Sequence, residues 1–194
     1  EIRTIRHYHD HPAYINALKV SVLNYWKKNG KPSKLIMSFH GIPKKSLSQG
    51  DPYHCECHKT GRLLAKALNL KDSEYQICFQ SRFGKAEWLK PYFAEVIADL
   101  GKKKVNNLHI ICPGFSSDCL ETLEEINMEG KAIFTNNGGK NYKYIPALNS
   151  NPHWIEAMGI ISSSNLQGWL NPKWSLVKEQ KASNLTKKQA EKFK

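Results

Sequence analysis

Two segments of this chain carry side chains able to handle a cation and to move protons. The first is Ser38-Phe39-His40-Gly41-Ile42-Pro43, directly after the apolar run Leu35-Ile36-Met37. The second runs Pro113-Gly114-Phe115-Ser116-Ser117-Asp118-Cys119-Leu120-Glu121-Thr122-Leu123-Glu124-Glu125, directly after Leu108-His109-Ile110-Ile111-Cys112. Both apolar runs are short and closed by Gly or Pro, the pattern of buried strands. In open α/β sheets ligands bind beyond the carboxyl ends of the strands. An imidazole and a set of carboxylates delivered to one such rim suit a divalent ion and proton transfer.

Each candidate has a plain structural alternative. His40 sits before Gly41 and Pro43, which end the strand and turn its side chain toward a cleft, but a lone histidine also serves structural roles. Asp118 and Glu121 have the spacing of a helix capping box. Capping does not account for Glu125, which follows Glu121 at i+4, where like charges repel. A row 118–121–125 is better suited to cations or protons. Arg82, in Gln80-Ser81-Arg82-Phe83-Gly84, is either a surface charge or a clamp for carboxylate or phosphate. Trp88 and Phe83 fit an apolar wall for a flat ligand or the core.

The elements that must position these groups alternate. A helix with Asp10 as cap, Pro12 in its first turn and an Ile15, Leu18, Val22, Tyr25 stripe precedes a strand at 34–39. A helix at 57–69 leads to a strand at 75–80. Leu89, Phe93, Val96, Ile97 and Leu100 mark a second helix before a strand at 108–112. A helix at 118–129, a strand at 142–145 and a helix at 152–160 follow. This order predicts an α/β fold: a Rossmann-like parallel sheet with helices on both faces.

The chain has 194 residues and a net charge of +12. From Ser162 onward there are seven lysines and two glutamates, a net +5 that leaves +7 on residues 1–161. We therefore expect a body at 1–161 and a Lys-rich, partly disordered tail at 162–194. A basic body attracts nucleic acid, anionic lipid or carboxylate-bearing ligands, but no helix-turn-helix, finger or aromatic RNA-binding motif supports nucleic acid. No apolar stretch reaches membrane-span length. The start at Glu1 rather than Met suggests a trimmed chain. Five cysteines at irregular spacing argue against a secreted disulfide framework. Cys78 and Cys112 read as buried thiols, and Cys55-Glu56-Cys57 lacks the second ligand pair of usual zinc or cluster sites.

Six motifs occur in one order: Phe39-His40-Gly41-Ile42-Pro43; Gly50-Asp51-Pro52-Tyr53; Phe79 to Gly84; Trp88-Leu89-x-Pro91; Pro113 to Glu125; and Tyr144-Ile145-Pro146-Ala147-Leu148-Asn149. Together they resemble the C-terminal half of ferrochelatase in its proteobacterial form, from about Ile5 to Met158. The resemblance implies one domain of a two-domain chelatase fold, with the porphyrin cleft between the domains. It implies insertion of Fe(2+) into protoporphyrin IX in haem synthesis. Nearby alternatives are a chelatase for another tetrapyrrole such as coproporphyrin, or a porphyrin-binding fragment inactive without the N-terminal domain. By resemblance, His40 and Glu121 are the catalytic and metal residues, Asp118 and Glu125 the proton or metal path, and Trp88 the tryptophan of the porphyrin pocket, with Ser81 and Arg82 beside it. Iron is substrate, and no iron–sulfur cluster is expected, because the C-terminal cysteine cluster of animal relatives is absent. The expected setting is cytoplasmic, with peripheral contact to anionic inner membrane as an option. Position 119 is Cys where many relatives carry His.

Overall fold

A computed structural model describes residues 2–170 and 173–193. Four parallel strands form one sheet: β1 (Lys34–His40), β2 (Tyr75–Gln80), β3 (Asn107–Ile111) and β4 (Asn141–Tyr144), in the order β2-β1-β3-β4. The helices are α1 (Pro12–Asn29), α2 (Lys44–Ser48), α3 (Tyr53–Ala67), α4 (Phe93–Lys102), α5 (Gly130–Asn136), α6 (Pro152–Asn165) and α7 (Leu176–Glu191). This is the expected α/β architecture.

Side-chain alternation along the strands divides the core in two. Leu35, Met37, Phe39, Ile77, Phe79 and Ile111 face α1, α3 and α6. Ile36, Cys78, Leu108 and Ile110 face α4 and α5. After β2 the chain passes over β1 to build β3 on its other side. The order therefore reverses between β1 and β3, where a sheet of this kind opens a crevice. The carboxyl ends of those two strands carry His40 and the Pro113–Glu125 segment.

Several local expectations differ from the structure. The N-cap of α1 is His11, whose Nδ1 accepts from the Ala13 amide, while Asp10 pairs with Lys59 at 2.5 Å. Leu89 lies outside α4: its amide donates to the Ile42 carbonyl, and its side chain packs on the α1/α3 face. The helix expected at 118–129 begins as a π-helix, Glu121–Glu129, and continues as α5 to Asn136. The Gly130 amide there reaches back five residues to the Glu125 carbonyl. A boundary at 161 falls inside α6, which buries Ile161 and runs on to Asn165. The Lys-rich segment beyond forms α7, which buries none of its residues. Among the described residues no helix is long and apolar enough to cross a membrane.

Candidate functional site

His40 ends the central strand β1, opposite Gln80 of β2. The next residue must be small. A Cβ on Gly41 would stand 2.9 Å from the Gln80 carbonyl oxygen and 3.1 Å from Cε3 of Trp88. With no side chain there, the Gly41 amide bonds the Gln80 carbonyl at 2.8 Å and the indole of Trp88 packs over the turn. The Tyr53 hydroxyl donates to the His40 carbonyl at 2.9 Å, fixing the backbone from α3.

Among the described residues the imidazole has one hydrogen-bond partner: Nδ1 lies 2.6 Å from the Gly41 carbonyl oxygen. A carbonyl only accepts, so Nδ1 carries the hydrogen. In the neutral ring Nε2 then keeps its lone pair for a proton or a metal. Two aromatic rings flank it at tilted angles, Trp88 at 6.4 Å and Phe115 at 6.3 Å.

The π-helix presents the carboxylates. Glu121, in its first turn, has its pKa lowered by a hydrogen bond from the Cys119 thiol and by its own backbone amide. These outweigh burial, and His40 in its protonated form adds to them. Glu125 is held harder. It accepts from the Ser81 amide at 2.7 Å and from the Ser81 hydroxyl at 2.6 Å. Ser81 adopts φ +63 to do so, a left-handed conformation that a non-glycine residue rarely takes and that clusters at functional sites.

Behind this pair lies a buried amide. Gln80 accepts from the Ser38 hydroxyl at 2.8 Å and the Cys112 thiol at 3.5 Å, and donates to the Glu121 carbonyl at 2.9 Å. One side chain thus ties the ends of three strands to the π-helix. The sequence places Gln80 in a motif but gives no sign of this work. A buried amide with all its polar atoms engaged rigidifies what it touches.

Asp118 is turned elsewhere. It accepts from the Tyr144 hydroxyl at 2.6 Å, the Asn149 amide at 2.7 Å, the Thr122 hydroxyl at 3.1 Å and the Ala147 amide at 3.2 Å. Partial burial pushes its pKa up, but these donors together bring it below the usual carboxylate range. Asp118 therefore joins the π-helix entry to the end of β4. The capping box does not form: the residue before the π-helix is Leu120, with no side-chain cap.

Arg82 is exposed, with its guanidinium 4.7 Å over the Tyr92 ring. It shares a depression of about 370 Å³ with Ser81, Phe83, Leu120, Glu121 and Glu125. Phe83 and Leu120 are 83% and 70% exposed, so the acidic row is bordered by bare apolar surface. The structure brings His40, Glu121, Glu125, Trp88, Ser81 and Arg82 to the rim and gives Asp118 a scaffold position. Sequence reasoning missed Tyr53, Phe115, Tyr144 and Asn149 as partners of this site. Cys55 and Cys57 do not converge. Cys57 is buried, its thiol pushed up to about 12 mainly by burial, and Cys55 is exposed.

Comparison with known proteins agrees with the motif order. The ferrochelatase family profile matches residues 1–166. A ferrochelatase of Nitrosomonas europaea is 62% identical over 175 residues, covering 90% of this chain and 48% of that protein. One from Methylobacillus flagellatus is 59% identical over 170 residues, covering 88% and 49%. The chain thus spans about half the length of the curated relatives it matches. A solved structure of SirB from Bacillus subtilis with Fe3+ shares the fold, with a TM-score of 0.56 at 15% identity over 78% of this chain and 54% of that one. The chain belongs to the ferrochelatase family.

Proposed function

We propose that this chain is the metal-side half of a ferrochelatase, an enzyme that inserts Fe(2+) into protoporphyrin IX to form protohaem. The observation that carries this is the state of His40. Its Nδ1–H is engaged by Gly41, so the neutral ring offers Nε2 between two aromatic rings and next to the ionised Glu121.

Insertion of Fe(2+) expels two pyrrole protons. His40 accepts one through Nε2, or ligates the incoming ion. Glu121 takes the other or guides the metal as a hard oxygen donor. Glu125, held by Ser81, carries charge onward, and Asp118 keeps the helix entry in place. Trp88 and Phe115 suit the face of a flat macrocycle, and Arg82 suits its carboxylate side chains. Phe83 and Leu120 present apolar surface to the porphyrin or to the remaining half of the enzyme. We assign the chemistry to residues 1–161. The proposed setting is cytoplasmic, with lysines of α7 available to anionic lipid.

A second reading is a porphyrin-binding fragment without turnover. The open, one-sided rim favours it, because a macrocycle needs two walls to exclude water. The test is metal insertion by the protein at the length of its relatives. Glu121→Gln and His40→Ala should each lower turnover by about 10² or more, the usual scale for a proton-transfer group, while porphyrin still binds. Near-normal insertion by either variant at normal stability removes that residue from the mechanism.

A further inference from the structure

Among the described residues, one group of three metal-competent side chains lies apart from the carboxylate row: His7, His9 and Glu56. The histidines stand two apart in the non-helical lead-in to α1, and Glu56 lies in the first turn of α3. We propose that these three side chains form a second metal site, for a divalent transition ion of the zinc or ferrous class, independent of the His40–Glu121 rim.

The geometry is near that of a bound ion. His7 Nδ1 is 2.8 Å and His9 Nδ1 3.8 Å from the same Glu56 oxygen, and the three donor atoms all lie within 4.8 Å of one another. Ligands at about 2.1 Å from a tetrahedral ion stand roughly 3.4 Å apart, so small side-chain rotations close the set. His9 Nδ1 is buried and, among the described residues, makes no hydrogen bond, although buried polar atoms are almost always partnered. An ion at the centre supplies that partner.

The segment is also held in place. The Thr60 hydroxyl of α3 donates to the His9 carbonyl at 2.7 Å, fixing the strand of ligands to the helix that carries Glu56. The other ring nitrogen of His9 faces the Asp10 carboxylate at 3.9 Å, and Lys59 pins that carboxylate. A carboxylate behind a ligating imidazole is the usual support of a metal histidine. Two imidazoles and one carboxylate select transition ions over calcium or magnesium. A cavity of about 180 Å³ opens beside the cluster and leaves room for a fourth ligand.

The test is titration of the full chain with Co(2+), read by visible absorption and by equilibrium dialysis. Glu56→Gln and His7→Ala should each weaken one binding event by about tenfold or more, whereas Glu121→Gln should leave that event unchanged. His7 is exposed, so its removal leaves the fold intact. Absence of Co(2+) uptake by the native chain, or equal uptake by native, Glu56→Gln and His7→Ala proteins, would overturn the proposal. The readout is binding rather than turnover, so the result stands apart from the proposed activity.

Discussion

His109 makes the stability of this fold acid-sensitive. It sits in the middle of β3, fully buried, opposite Leu35 on β1 and Lys143 on β4. The Tyr25 ring meets it edge-on at 5.6 Å, and among the described residues neither ring nitrogen has a hydrogen-bond partner. Burial, with the Lys143 ammonium adding to it, lowers its pKa to about 4. The folded chain thus holds His109 neutral in a range where the unfolded chain protonates it. Its contribution is fully present above the ordinary imidazole pKa and is lost as pH falls from about 6.5 toward 4. With those two values, roughly 2 kcal/mol disappears between pH 8 and pH 5. For a chain of this size that corresponds to about 4–8 °C in Tm. The assay is urea and thermal unfolding of native and His109→Leu proteins at both pH values. His58 also has its pKa lowered, mainly by burial, so the informative quantity is the difference between the two proteins. The variant should lose ~2 kcal/mol less than the native chain on acidification. Equal losses would refute the assignment.

Two further outcomes are expected. Asp118→Asn keeps the shape and an oxygen where Oδ1 accepts from Tyr144, Thr122 and Ala147, but it sets an amide group against the Asn149 amide that Oδ2 accepts, so it should cost about 1–3 kcal/mol at pH 7. Because the Asp118 pKa is lowered in the fold, that gap should narrow as pH drops below about 4, which urea melts can follow. Gly41→Ala forces a methyl against the Gln80 carbonyl and the Trp88 ring, an overpacking cost of about 1–3 kcal/mol. It should shift Trp88 fluorescence and depress metal insertion more than it depresses folding.

β1 and β3 are legible because each is a short apolar run closed by Gly or Pro, and the β2 expectation of 75–80 coincides with its observed residues. His40 was readable as the polar end of such a run. The partners of the site were not. Asp118 is held by Tyr144 and Asn149, 26 and 31 residues away, and no local rule links them. His7 and Glu56 are joined only by the packing of the lead-in against α3. The cap of α1 was misassigned because Asp10 is the better capping type, yet its carboxylate is drawn to Lys59. The spacing of Glu121 and Glu125 looked α-helical because nothing in residue type distinguishes a five-residue backbone bond from a four-residue one.

That last distinction makes the site sensitive to chain length. A π-helix closes each backbone bond over one more residue than an α-helix. Deleting one residue between Glu121 and Glu125, such as Leu123, would let the segment tighten into ordinary helix at little cost to backbone bonding. It would also rotate the two glutamates out of step, separating Glu125 from Ser81 or Glu121 from His40. A substitution changes what a position carries, whereas a single deletion here changes where every later position points. Leu123 or Glu124 can therefore be replaced with both acids left in place, whereas shortening the segment moves one of them away.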